Sequence, residues 1–363
     1  MSTSLDFLVN RDDLRQCKCV PAGEPDAIEL QPGQVLLGVD KFGFTSNNIT
    51  YAAFGEAMNY WAFFPSPDGW GRIPVWGYGD VIRSATDALG EGERIFGYLP
   101  MSTHLLVQPD GVTETGFMDG SPHRSALPSA YQQYTRVDAG ADPKHEDHQA
   151  ILQPLFMTSF LIEDFLADKE MFGAKQVVLA SASSKTALGV AFLLSKNRPA
   201  DCAVIGLTSS GNLSFCERVG YYDRVVPYGE LASLPREVAT VFVDMAGDGK
   251  LLESVHEHFS GSLKYSCIVG ATHWEDRRAP GNLSGPAPEF FFAPTQLAKR
   301  REEWGDEEFG RRYGEARGAF LPSTDEWMKI VHDSGPEAVE RVYLEMLNGK
   351  VSPDIGQMLS LHE

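Results

Sequence analysis

The chain has 363 residues, 43% hydrophobic and 22% charged, an ordinary globular composition with room for two domains at ~100–200 residues each. Its formal charge of −19 at pH 7 argues against nucleic acid or an acidic membrane surface as a partner, because polyanions are repelled. The five cysteines, at 17, 19, 202, 216 and 267, are odd in number and lack C-x-x-C spacing, so we expect no disulfide framework and a cytoplasmic setting.

The N-terminal stretch carries no basic, apolar leader and no window holds ~18 uninterrupted apolar residues, so neither a signal peptide nor a membrane span is expected. From residue 7 to about 107 the chain reads as short strands between Gly/Pro punctuation. Residues 27–30 and 34–39 flank the turn Gln31-Pro32-Gly33, and residues 76–84 and 94–99 flank Gly90-Glu91-Gly92. Short strands at this spacing predict a compact, barrel-like β domain. Residues 108–140 are polar and read as irregular, and residues 150–169 have the spacing of a helix bridging two domains.

The period then alternates. A strand over 176–182 leads into a helix from about 184, with Ala187, Val190, Ala191 and Leu194 at i, i+3, i+4 and i+7. Strands over 203–208, 224–226, 240–245 and 265–270 alternate with helices over 212–219 and 250–259, which predicts a doubly wound parallel sheet. Helices over 296–316 and 336–347 follow an irregular, Pro/Gly-rich stretch over 279–294.

Residues 177–189, VVLASASSKTALG, combine an apolar strand, a hydroxyl-rich turn and a helix start. That combination holds phosphate in α/β proteins through backbone N–H groups and the helix dipole. The other reading is a serine-capped helix. A third is the end of a P-loop in Ser183-Ser184-Lys185-Thr186, followed by an apolar strand ending in Asp244. The two glycine positions of that motif hold Leu179 and Ser184, which speaks against it. The second strand ends Thr208-Ser209-Ser210-Gly211-Asn212, without the carboxylate that receives an NAD ribose. A 2′-phosphate meets no repulsion there, so NADP(H) is favoured over NAD(H).

Residues 32–51, 75–100, 177–189 and 203–228, in this order and spacing, resemble the medium-chain dehydrogenase/reductase superfamily. The likeness is to a divergent member of its zinc-free, quinone-oxidoreductase-like branch. It implies an α/β protein with a GroES-like, β-rich catalytic domain over 1–150 and a Rossmann domain over 151–290. A C-terminal helical segment over 291–363 is implied to return to the catalytic domain. Phe44-Thr45-Ser46 stands where zinc-dependent members place a cysteine, so no metal is expected. Serines replace the cofactor-loop glycines, and Gly189 remains where the helix is expected to pack closely on the sheet.

For the cofactor, NADP(H), the resemblance implies Asn48, Thr158, Ser181, Ser183, Ser184, Lys185, Thr186, Thr208, Ser209 and Ser210. For chemistry it implies Asn48 and Tyr51 as orienting and polarising groups, with Tyr131, Tyr134 and His273 as further candidates. A phenol donates a proton to a developing enolate or alkoxide. Each of these residues also has a plain structural reading as a loop, packing or capping residue. The expected function is NADP(H)-dependent, zinc-independent reduction of a carbonyl or activated C=C in a small, partly apolar substrate bound between the domains. A non-redox lyase or isomerase on the same fold and an NADPH-binding sensor without chemistry are the alternatives. A homodimer is a further expectation from the resemblance alone.

Overall fold

A computed structural model describes residues 4–138, 143–245, 247–270 and 283–363. The chain forms two compact units, Met1–Ile151 with Ile330–Glu363, and Leu152–Lys329.

The first unit is built on a mixed-length, curved sheet whose main strands are Val35–Phe44, Pro74–Ser84 and Arg94–Pro100. Val35–Phe44 pairs antiparallel with Pro74–Ser84, with irregularities at Leu36/Leu37 and Val39/Lys41 that bend the ladder. Ile355–Ser360 pairs with the other edge of Val35–Phe44, and Lys329–Ser334 lies beyond it at the edge of the sheet. The region read as irregular contributes Gly116–Asp119 and Gln133–Arg136, which extend the sheet beyond Arg94–Pro100. Phe42, Phe44 and Val75 are buried on one face of it, and Tyr78, Phe96 and Tyr98 on the other. At the start of the long helix Pro143–Asp168, Glu146 chelates Arg94 at 2.6 and 2.8 Å, while Lys41 reaches Glu146 and Asp147 at 2.9 Å. Arg94 and Lys41 hold the Glu146 carboxyl below its ordinary range even though burial opposes this.

The second unit holds a parallel sheet in the order Arg224–Pro227, Ala203–Thr208, Gln176–Ala180, Thr240–Asp244, Leu263–Ile268, Glu289–Phe290. In chain order this is 3-2-1-4-5-6, the doubly wound arrangement. Starting from Gln176–Ala180 the next two strands are added on one side and the later ones on the other, so its C-terminal end is the switch point. Val178, Ala180, Leu207, Phe242 and Val255 form the core beneath the sheet.

The helix predicted over 296–316 is two helices, Ala293–Trp304 and Asp306–Thr324, divided at Gly305 with φ +79°. They belong to the second unit. Arg300 pairs with Asp164 at 2.6 Å, and Phe320 stacks on Phe156 at 4.5 Å. The chain rejoins the first unit from Ile330.

His145–Asp168 is long and apolar enough to span a bilayer by composition, but 61% of that window is buried in the protein, as in a core helix. After it, Glu170, Met171, Phe172 and Gly173 all have positive φ. This left-handed turn is costly for side-chain-bearing residues. It sets Phe172 flat on Tyr265 at 4.2 Å.

Candidate functional site

The loop at the switch point runs from Ala180 to the helix Lys185–Asn197. Ser181 sits at φ +53°, a left-handed conformation that a glycine adopts without steric cost. Two bonds hold it there. Its N–H donates to the Tyr228 hydroxyl at 3.1 Å, and its carbonyl accepts from Ser184 N–H at 2.7 Å. Ala182 donates to Leu207 O at 2.9 Å, and its carbonyl accepts the Tyr222 hydroxyl at 2.7 Å. Ser184 is the N-cap, its side chain accepting from Ala187 N–H. Strain held in place by surrounding bonds is a mark of functional loops.

Ser183 accepts from Asn212 Nδ2 at 3.0 Å, which joins the loop to the turn after the second strand. In that turn Ser209 and Ser210 are exposed, whereas Thr208 is buried. Lys185 and Thr186 occupy the first two helical positions, both half-buried. Arg224 is engaged by Ser233 at 2.8 Å, and Arg218 lies over the Phe215 ring at 5.6 Å.

Thr158 donates to Pro154 O within its own helix at 3.2 Å. The neighbouring Ser159, fully buried, donates to Thr186 O at 2.8 Å and contacts Leu155 O at 3.0 Å. A Cβ on Gly189 would lie 2.5 Å from Ser159 Oγ and 2.9 Å from its Cβ. The expectation that Gly189 admits the sheet is therefore corrected: it admits the long helix Pro143–Asp168, which presses on the cofactor-loop helix through Ser159.

The first unit gathers a second set of groups. The residues after Val35–Phe44 form a helix, Ser46–Ala53, closed by a capping box between Thr45 and Asn48. Asn48 Oδ1 accepts from Thr45 N–H at 2.8 Å, and its Nδ2 donates to Pro74 O at 2.9 Å. One end of the amide thus caps the helix and the other ties it to the strand Pro74–Ser84. Tyr134 is fully buried, its hydroxyl donating to Tyr98 O at 2.6 Å and accepting from Arg124 at 3.0 Å. Arg124, itself buried, also pairs with Asp119 at 2.8 Å. Tyr134 thus packs between Tyr98 and Arg124. His273 lies outside the described residues.

Tyr51 projects from the capped helix into a cluster of rings. Its centroid lies 4.7 Å from Tyr60, 5.7 Å from Tyr98 and 6.2 Å from Tyr131. Within this cluster the Tyr60 and Tyr131 hydroxyls stand 3.4 Å apart. Burial pushes the Tyr51, Tyr60 and Tyr131 phenols up, so they are neutral across the physiological range. Tyr60, Tyr222, Tyr228, Asn212 and Ser159 were not among the sequence-derived candidates. Asn212, Tyr222 and Tyr228 had a signal there, since all three lie in the matched stretch over 203–228.

Among the described residues no three His, Cys, Asp or Glu side chains group as a metal site. Among solved structures, the chain is similar over 99% of its length and 99% of theirs to CurA from Vibrio vulnificus in complex with NADPH, with TM-score 0.63 and 13% identity. The same coverage holds for the YhdH oxidoreductase from Salmonella enterica in complex with NADP, at TM-score 0.54 and 15% identity. It holds again for CurK enoyl reductase, at TM-score 0.53 and 10% identity. At these identities the likeness is one of fold, the GroES-like plus Rossmann α/β fold of medium-chain dehydrogenase/reductases. No curated protein matches the sequence. A family model described as "Protein of unknown function (DUF2855)" matches residues 42–352, and the chain belongs to that family.

Proposed function

We propose that this chain is an NADP(H)-dependent, zinc-independent oxidoreductase that reduces a carbonyl or activated C=C bond in a small, partly apolar substrate. The observation that carries the reading is the strained, hydrogen-bonded turn at Ser181, at the switch point of a 3-2-1-4-5-6 parallel sheet. A ligand in such a fold binds beyond the strand ends at that point.

The residues present fit the dinucleotide. Ser181 adopts the backbone geometry of the missing glycine, and the N-terminal turn of Lys185–Asn197 carries the N–H groups and dipole that suit a pyrophosphate. Ser183, Ser184 and Lys185 add hydroxyl and ammonium donors. Ser209 and Ser210, exposed after the second strand and free of a neighbouring carboxylate in that turn, suit a 2′-phosphate. The NADPH and NADP in the CurA and YhdH structures, and the reductase names of YhdH and CurK, support the same cofactor and class. When bound, the dinucleotide supplies hydride.

The chain's own part is to position the substrate and provide a proton. Tyr51, neutral and set among aromatic rings, is the proton donor in this reading, and the rings favour a partly apolar substrate. Asn48 contributes indirectly, by fixing the helix that carries Tyr51. Turnover of NADPH with 9,10-phenanthrenequinone and with 3-penten-2-one tests the reading. Tyr51→Phe is expected to lower kcat about 100-fold with little change in NADPH affinity. Equal kcat in the variant rejects Tyr51 as the donor. Conversion of a substrate without any change in NADPH absorbance rejects redox chemistry.

A further inference from the structure

We infer that the cavity framed by the helices Pro143–Asp168, Lys185–Asn197, Ala293–Trp304 and Asp306–Thr324 binds a small organic cation, an ammonium group on an apolar body, with the Glu163 carboxylate as its counter-ion. The cavity lies wholly within the second unit and has a volume of about 390 Å³, which is in the range of small-molecule sites. No residue of its lining belongs to the cofactor loop or to the Tyr51 cluster, so the inference stands apart from the reductase reading.

Its deep wall is apolar. Phe160, Phe192 and Leu193 are buried there, and Trp304 adds a third ring. Among them sits Glu163, 6% exposed. A carboxylate in such a place is costly unless it is paired. The cations of the lining are directed elsewhere: Arg312 pairs with Glu308 at 2.6 Å, and the Lys196 ammonium lies over the Phe192 ring at 5.7 Å. The adjacent acid, Asp164, is taken by Arg300 at 2.6 Å and by Gln296 at 2.7 Å. Among the described residues no lysine, arginine or histidine forms an ion pair with Glu163, and Asn197 in the lining is a neutral amide.

The rest of the frame also favours positive charge. Two of the helices end at lining residues, one at Asn197 and one at Trp304, and a helix C-terminus carries a negative partial charge. The Arg312 guanidinium lies over the Trp304 ring at 4.2 Å, so the walls present ring faces that attract cations. The formal charge of −19 draws cations toward the surface. Lys196, Arg312 and Glu315 are exposed, which places the lining cations on the solvent side and the unpaired acid on the buried side.

Burial pushes the Glu163 carboxyl up to about 7, and the Asp164 charge adds to the rise. A bound cation favours the ionised form, so binding strengthens as the pH rises through that value. The charged groups that also face the cavity are Asp164, Lys196, Arg312 and Glu315, and no histidine lines it.

Calorimetric titration of the full-length protein with 4-phenylbutylamine tests this, with 4-phenylbutan-1-ol and 4-phenylbutanoate as neutral and anionic counterparts. At about pH 8 the amine is expected to bind saturably with Kd below about 1 mM, about tenfold or more tighter than either counterpart. At about pH 6 its binding is expected to be about tenfold weaker, as Glu163 becomes protonated. Glu163→Gln keeps the size of the side chain and removes its charge, and is expected to abolish the preference for the amine over the alcohol. Ala316→Phe fills the cavity and leaves the carboxyl in place, and is expected to abolish amine binding while thermal melting still shows a folded chain. No saturable binding by the wild type, or an alcohol or anion bound as tightly as the amine, overturns the inference. So does an amine affinity unchanged in Glu163→Gln, and an affinity unchanged in Ala316→Phe puts the amine elsewhere and overturns it too.

Discussion

The Tyr228 hydroxyl accepts a hydrogen bond from Ser181 N–H at 3.1 Å, spanning 47 residues to pin the one left-handed residue of the switch-point loop. Burial pushes this phenol up, while the Ser181 bond opposes the shift. Removing the acceptor leaves a partly buried N–H unpaired and the strained turn unsupported, at about 1–3 kcal/mol. Tyr228→Phe is therefore expected to weaken NADPH binding about tenfold or more, measured by fluorescence titration, while the far-ultraviolet dichroism stays native. Unchanged affinity would mean that the turn holds its shape without this bond.

The contact between Gly189 and Ser159 leads to a second prediction. A methyl at 189 needs the space now held by Ser159 Oγ and Cβ, and neither atom belongs to the far end of a flexible side chain. Gly189→Ala is expected to destabilise by about 1–3 kcal/mol as overpacking does, and to disturb the Ser159–Thr186 bond under the cofactor loop. Thermal melting measures the first effect and NADPH titration the second. A variant at least as stable as wild type would contradict the packing described.

Glu163 gives a pH signature. It is 6% exposed, lies by Asn197 in a cavity of about 390 Å³ lined also by Phe160, Phe192 and Trp304, and burial pushes its carboxyl up to about 7. A folded value above the ordinary 4.5 means that the neutral form is favoured by folding. Its stabilising contribution is full below pH ~4.5 and is lost as the pH rises through ~7, by about 3 kcal/mol in all. Glu163→Gln mimics the neutral acid. It is expected to match wild type near pH 4.5 and to exceed it in thermal stability at pH 8; parallel curves at both values would contradict the assignment.

Much of this architecture was legible in the sequence because it is local. The alternation of apolar strands with 3.6-period helices between residues 176 and 268 marks a parallel sheet whatever surrounds it. The absence of a carboxylate after Thr208 needs no structure to be seen. What escaped was non-local. Ser183 meets Asn212 across 29 residues, and Ser181 meets Tyr228 across 47, partners that no spacing rule connects. The helix Ser46–Ala53 is eight residues long, with too few apolar positions to display a period. Tyr134 and Tyr131 stand three apart in one polar stretch, yet one is sealed beneath Arg124 and the other faces Tyr60. The strand Ile355–Ser360 follows the turn signals Asn348-Gly349 and Pro353-Asp354, but its partner Val35–Phe44 lies more than 300 residues away, which no spacing rule connects.

The central claim, that the serine-rich loop at the switch point holds NADPH, is tested most directly by calorimetric titration of the wild type and Ser183→Glu with NADPH and NADH. A carboxylate at 183 places a negative charge against a pyrophosphate in a partly buried turn, where repulsion at ~4 Å reaches about 4 kcal/mol. The account predicts saturable NADPH binding, NADH weaker by about tenfold, and a loss of roughly 100-fold in the variant. No saturable binding by the wild type, or equal affinity in Ser183→Glu, would contradict it.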